Sequence, residues 1–151
     1  MTSLAFTFST NGLYYVALSG NKSQPVFNSK DKLTLPANHT VPERVSWFEN
    51  QLEILLNAIK PNAVSYKLTI NNVTNNMVQT TFYGQAILNL LCSKKAIPIV
   101  HTSPTSVVPG KFNLPKKSDL HVFIDQQIGI HPPHWDVRMK DTGLIALMLL
   151  A

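Results

Sequence analysis

The segment HPPHWDVRMKD, residues 131–141, holds the densest group of side chains able to bind a metal ion. Imidazole nitrogens and carboxylate oxygens suit zinc or manganese. The candidate ligands fall within eleven residues: His131, His134, Asp136 and Asp141. Their spacing leaves the ligand directions open, because Pro132 and Pro133 exclude a regular helix. A turn that packs Trp135 is the alternative, and it needs no metal.

A lysine lies in the middle of the polar side of a predicted strand in NAVSYKLTINN, residues 62–72. One side of that strand carries Val64, Tyr66, Leu68 and Ile70, and the other carries Ser65, Lys67 and Thr69. A lysine there can pack its stem and extend its ammonium to water. The second hypothesis, that Lys67 fills a functional position, depends on the family resemblance described below.

Other catalytic chemistry has no recognisable pattern in the chain. There is no Gly-x-Ser-x-Gly, no P-loop and no Gly-x-Gly-x-x-Gly, so a serine hydrolase or a nucleotide phosphate site has no support. Cys92 lies in an apolar helical run, which predicts packing. His121 and Asp125 are four residues apart on a predicted helix, where we expect a local side-chain pair.

Composition limits the class of protein. The 151 residues suit one domain, and 13 Lys+Arg against 8 Asp+Glu give a charge of +5, which favours acidic partners without requiring nucleic acid. One cysteine excludes an internal disulfide framework. The N-terminus has no signal-peptide layout, and the run LIALMLLA is too short to span a bilayer, so we expect a cytoplasmic location and no membrane partner.

The patterning predicts three strands, then helices alternating with strands. LAFTFST, LYYVALSG and a run within QPVFNSKDKLTL predict an antiparallel meander, turning at Asn11-Gly12. PERVSWFENQLEILLNAIK predicts the first helix, followed by the Lys67 strand and a polar NNVTNN loop. MVQTTFYGQAILNLLCSKK predicts a second helix, and AIPIVHTS a buried strand. A third helix is expected from Ser118 to Gly129, and a last one from Asp141 or Thr142.

This element order resembles the RNase H-like superfamily, and most nearly its RuvC-type Holliday junction resolvases. YGQAILNLLCSKKAIPIV is similar to the helix and strand of that family, and SVVPGKFNLPKKSDLHVFI is similar to the loop and helix that follow. The resemblance implies an α/β fold in residues 1–151: a mixed five-stranded sheet, beginning with a three-strand antiparallel meander, with helices on both faces.

The resemblance also places the catalytic centre. Active members hold two divalent cations, roughly 4 Å apart, on carboxylates of the first strand, the end of the fourth strand and the start of the last helix. In this chain those positions fall at Thr7, or Ser9 if the register shifts, at Lys67, and at Asp141, with Asp136 a looser candidate. The resemblance therefore implies a degenerate nuclease site, in which Lys67 could form an ion pair with Asp141.

The leading hypothesis is a non-catalytic domain, without a cofactor, that binds DNA, RNA or a protein partner. Basic residues that the resemblance places around the site are Lys67, Lys111, Lys116, Lys117, Arg138 and Lys140, and they could neutralise phosphates. One alternative is a nuclease using Mg or Mn at a site rebuilt from His131, His134, Asp136 and Asp141. Another is a structural interaction module. Homodimerisation is a further hypothesis, with Trp47 at the interface or, alternatively, at the edge of the core.

Overall fold

A computed structural model describes residues 1–68 and 78–151, without the side chains of residues 78 and 79. Its sheet has five strands in the order β3-β2-β1-β4-β5. They are β1 (Thr2–Ser9), β2 (Gly12–Asn21), β3 (Gln24–Thr34), β4 (Ala63–Lys67) and β5 (Ile99–Thr102). The first three form the predicted antiparallel meander, and β4 and β5 run parallel to β1.

Four α-helices cover the sheet: α1 (Val41–Ile59), α2 (Tyr83–Lys94), α3 (Leu120–Ile128) and α4 (Val137–Leu149). The predicted second helix opens instead as a π-helical turn, Val78–Phe82, and short 3₁₀ turns follow β5 at Pro104–Ser106 and Pro109–Phe112. None of the helices in the described ranges is long and apolar enough to cross a membrane.

The turn between β1 and β2 is tightly fixed. The amide of Leu35 donates to the Asn11 carbonyl at 2.7 Å. Gly12 has φ +143°, and a Cβ there would lie 1.9 Å from the Leu33 carbonyl oxygen. The backbone therefore requires glycine at this point, as the Asn11-Gly12 turn signal indicates.

Helix boundaries follow local capping chemistry. Thr40 and Glu43 form a reciprocal capping box at the start of α1, with Pro42 in its first turn. Asp119 caps α3, and Gly129 ends it. The predicted start of the last helix at Asp141 or Thr142 is wrong, because Asp136 accepts a hydrogen bond from the Met139 amide and begins α4 at Val137.

Two hydrophobic clusters lie on opposite faces of the sheet. On one face Leu4, Phe6 and Phe8 of β1 pack under α1 and α2. Ala5 of the same strand faces α3 and α4, in the second cluster. Helices therefore lie on both faces, as predicted. The expectation that β5 is a buried strand is wrong, since β5 forms the sheet edge and Val100 is 55% exposed.

Candidate functional site

The site forms where β1 and β4 present their carboxyl ends to α4. These strands run parallel, and Phe6 pairs with Tyr66 at the end of the register. One residue further on, Thr7 and Lys67 fall side by side on the face of the sheet that α4 covers. Sequence separation alone would not show that these positions are neighbours.

Asp141 lies in the second turn of α4 and binds two other side chains. Its Oδ2 is 3.3 Å from the Lys67 ammonium, and its Oδ1 is 2.7 Å from Nε2 of His121. The side chains of Lys67 and Asp141 are 29% and 27% exposed. The ion pair expected between Lys67 and Asp141 is therefore present, with His121 of α3 as a second partner of the carboxylate.

Thr7 occupies the first-strand position, and its hydroxyl is buried. It lies 2.7 Å from the hydroxyl of Thr142, which donates to the Arg138 carbonyl at 2.7 Å. Because a hydroxyl has one proton to donate, Thr7 must be the donor to Thr142. Ser3 donates to the Ala146 carbonyl at 2.8 Å. Satisfied hydroxyl contacts thus join β1 to α4.

A cleft of about 460 Å³ opens beside this ion pair. Its polar lining comes from Lys67, Ser118, Asp119, His121 and Asp141. Its apolar lining comes from Pro104, Val107, Leu120, Leu144 and Ile145. One ammonium faces two carboxylates across this lining, so the cleft itself has no excess of positive charge.

The donor set does not fit two divalent cations. Mg and Mn favour several oxygen ligands, whereas the three positions supply a hydroxyl at Thr7, an ammonium at Lys67 and a carboxylate at Asp141. The hydroxyl is already bonded, and both carboxylate oxygens have partners. The Lys67 ammonium would also repel a cation placed beside Asp141.

The rebuilt metal site considered from the sequence is not assembled. His131 stacks on Phe27 at a centroid distance of 3.5 Å, Asp136 caps α4, and Asp141 binds Lys67 and His121. Within residues 1–68 and 78–151, no three His, Cys, Asp or Glu side chains are grouped to hold a metal ion. Trp135 packs against His131, as the turn interpretation expects.

His121 and Asp125 do not form the expected pair through a hydrogen bond, and only the charge of His121 acts on Asp125. His121 reaches Asp141, while Asp125 accepts hydrogen bonds from Trp135 at 2.6 Å and from Lys140 at 2.9 Å. Burial acts to raise the pKa of Asp125, but the hydrogen bonds from Lys140 and Trp135, together with the charges of Lys140 and His121, lower it overall. Asp125 therefore ties α3 to α4 instead of pairing within its own helix.

The candidate basic residues differ in whether a carboxylate already pairs with them. Lys67 is paired with Asp141, and Lys140 with Asp125. Exposed side chains are found at Lys111, Lys116, Lys117 and Arg138. Arg138 and Lys140 lie inside the first turns of α4, not before the helix as the sequence suggested. The predicted Lys67 strand ends at Lys67 itself, and its expected continuation at Thr69 and Ile70, like the NNVTNN loop, lies outside the described residues.

Sequence reasoning missed the roles of His121 and Thr142. Both follow from starting α4 at Val137, which places Asp141 and Thr142 one turn inside the helix against β4 and β1. The sequence signal for this start is Asp136, since aspartate is a favoured N-cap residue whose side chain accepts a hydrogen bond from the amide three residues later, here that of Met139.

Comparison with known proteins identifies the fold. The chain is similar to RuvC of T. thermophilus, whose structure is in complex with a Holliday junction substrate. The match covers 98% of this chain and 91% of that RuvC chain, with a TM-score of 0.79 and 14% sequence identity. The yeast mitochondrial Holliday junction resolvase matches 97% of this chain and 76% of its own, with TM-score 0.71 and 13% identity. No family model matches the chain, and no curated protein matches its sequence. The chain has the RNase H-like, RuvC-type resolvase fold that its element order predicts.

Proposed function

We propose that this RuvC-type fold, residues 1–151 acting as one domain, binds nucleic acid in the cytoplasm without cutting it at the Lys67 cleft. The observation that carries the proposal is the contact between the Lys67 ammonium and Asp141 at 3.3 Å. In the active resolvases that the chain resembles, the corresponding positions hold carboxylates around two cations. A lysine there supplies positive charge without a Lewis acid or an activated water.

A DNA four-way junction is the first ligand to test. One structure with this fold, RuvC of T. thermophilus, is in complex with a Holliday junction substrate. The net charge of +5 favours a polyanion.

A protein partner or a homodimer is the second hypothesis for a non-catalytic role. Trp47 packs edge-on against Phe48, with ring centroids 5.1 Å apart. This contact favours a position at the edge of the core over one in a dimer interface.

The basic residues should differ in how much they contribute to phosphate binding, because some of them form ion pairs within the protein. Because Asp141 and Asp125 already offset Lys67 and Lys140, these two lysines contribute less to phosphate binding than the exposed cations. Lys116 and Lys117 directly precede Ser118 and Asp119, which line the cleft. Together with Lys111 and Arg138 they form the proposed phosphate-contacting set.

The rival with a rebuilt metal site has weaker support. It needs His131, His134, Asp136 and Asp141 around one ion, and three of these have other structural contacts. The interaction-module alternative predicts that the basic charge is incidental, so reversing Lys116 and Lys117 to Glu would leave nucleic-acid affinity unchanged.

The test is fluorescence anisotropy of labelled four-way junction, duplex and single-stranded DNA, with matched RNA, over a salt series with Mg or Mn present. The same samples are then run on a denaturing gel. We expect binding that weakens steeply with salt, reduced in the Lys116→Glu/Lys117→Glu variant, and intact strands throughout. The charge-matched control is Lys60→Glu/Lys94→Glu, two exposed lysines that lie near the amino ends of β4 and β5, away from the cleft.

Two results would contradict the proposal. Strand cleavage that is lost in Asp141→Ala would show a working nuclease. Absence of binding at low salt to every DNA and RNA tested would assign the domain to protein partners.

A further inference from the structure

A second recess lies at the same end of the sheet as the Lys67 cleft, where β1 finishes, but on the opposite face. It has a volume of about 260 Å³, and its polar lining comes from Thr10, Asn11, Arg44 and Thr80. Thr10 and Asn11 form the turn at the carboxyl end of β1, and Arg44 lies in the first turns of α1. The Lys67 cleft and this recess therefore flank the end of one strand.

The recess differs from the Lys67 cleft in its charge. Among the described residues that line it there is a guanidinium and no carboxylate. The neighbouring acid Glu43 is engaged elsewhere, because its Oε1 accepts from the Thr40 hydroxyl at 2.8 Å in the capping box. The described lining of the recess therefore supplies one cation and no carboxylate, whereas Asp119 and Asp141 line the cleft.

The donors in the recess match the needs of a phosphate group. A guanidinium presents five N–H donors in a planar fork suited to phosphate oxygens, and amide and hydroxyl groups add further donors. Arg44 has other contacts in the structure, and five donors can serve more than one acceptor. The hydrogen bond from Leu35 to Asn11 holds the wall of the recess in place.

We propose that this recess binds a phosphate group, supplied by the backbone of a nucleic acid that passes over the β1–β2 turn from the Lys67 cleft. This inference rests on the proposed nucleic-acid function, and it adds Arg44 as a contact on the second face of the sheet. Free inorganic phosphate presents the same chemistry, so the experiment separates the two sources.

The first part of the test measures junction affinity over a salt series for the wild type, Arg44→Gln, Arg44→Lys and the control Lys94→Gln. Lys94 is an exposed cation at the end of α2, near the amino end of β5 and away from the recess. We expect Arg44→Gln to lose about tenfold in affinity, with a salt slope smaller by about one. Arg44→Lys keeps the charge but not the fork, so an intermediate loss is expected, and Lys94→Gln should bind like the wild type.

The second part measures the thermal midpoint in inorganic phosphate and in chloride at equal ionic strength. A phosphate-dependent rise in wild type that is absent in Arg44→Gln supports the pocket even if the wild type binds no DNA, a result that would overturn the proposed function alone. The same rise with unchanged junction affinity in Arg44→Gln assigns the recess to free phosphate and overturns the backbone contact. Folded Arg44→Gln and Arg44→Lys proteins that match wild type in both measurements would overturn the inference entirely.

Discussion

The two faces of β1 differ in the kind of contact that their side chains make. Leu4, Phe6 and Phe8 pack into a continuous apolar cluster beneath α1 and α2. Ser3 and Thr7 point the other way and hydrogen-bond to α4. Both faces are buried, but the α4 face holds polar groups whose hydrogen bonds must all be satisfied.

The difference separates what supports the fold from what distinguishes its site. On the apolar face, β1 contributes the hydrophobic side chains Leu4, Phe6 and Phe8, whose burial stabilises the fold. On the α4 face, a hydroxyl pair and an ion pair fill the positions at which the family resemblance implies acids. We infer that hydroxyl and ion pairs can occupy these positions without leaving a buried polar group unpaired.

The largest effect is expected on the apolar face. Phe6 is fully buried and stacks near Phe8 at a centroid distance of 6.1 Å. Phe6→Ala should lower the free energy of unfolding by about 3–5 kcal/mol, because it leaves a cavity. Urea denaturation checks this, with Phe6→Leu as the milder control. A loss below about 1 kcal/mol would mean that this face is not the main source of stability.

An intermediate, asymmetric effect is expected at the hydroxyl pair. Thr142→Val removes the hydroxyl oxygen that accepts from the buried Thr7 hydroxyl, and it should lower the free energy of unfolding by about 1–3 kcal/mol. Thr7→Val should cost less, since Thr142 still donates to the Arg138 carbonyl. Urea denaturation of both variants and of the double variant tests the order. Equal costs for the two single variants would contradict the assigned donor direction.

A smaller coupling is expected between Lys67 and Asp141. Both side chains are partly exposed, so a double-mutant cycle with Lys67→Met and Asp141→Asn should give about 0.2–1 kcal/mol. The coupling should shrink when salt is raised. The cycle Lys95→Met with Glu53→Gln provides a matched pair, 2.7 Å apart, on the opposite face. Zero coupling at low salt would show that Lys67 and Asp141 do not stabilise the protein through an ion pair.

The smallest effect near neutral pH belongs to Cys92 on the apolar face. Burial raises the pKa of its thiol from 9.0 to about 11. The thiol is neutral in folded and unfolded chains at pH 7, so it adds no pH dependence there. Stability should fall as pH rises from about 9 to 11, since the unfolded chain releases the proton first. Denaturation of wild type and Cys92→Ala at pH 7 and 10 tests this; an identical pH dependence would contradict it.

The sequence predicted the parts of the fold that depend on periodicity and turn chemistry. The meander, the Asn11-Gly12 turn and the strand carrying Lys67 follow from alternation over several residues. The start of α4 was misplaced because one capping side chain, Asp136, decides it. β5 was misjudged because an apolar run does not reveal whether a strand lies at the centre or the edge of a sheet.

The candidate site was only partly predictable for a related reason. The ion pair of Lys67 and Asp141 followed from the family resemblance, which supplies the three-dimensional neighbours that spacing cannot. His121 was assigned to Asp125 because residues four apart share a helix face, whereas contacts between α3 and α4 direct each to another partner. The Arg44 recess joins residues from separate elements and has no signal in local sequence.

The most direct test of the central claim is a manganese titration followed by electron paramagnetic resonance, which reports the loss of free Mn²⁺. The wild type is compared with Thr7→Asp/Lys67→Glu, a variant that places two acids beside Asp141. We predict that the wild type leaves the free Mn²⁺ signal unchanged, while the folded variant reduces it. Binding of Mn²⁺ by the wild type that disappears in Asp141→Ala would contradict the claim that the Lys67 ion pair replaces the metal centre.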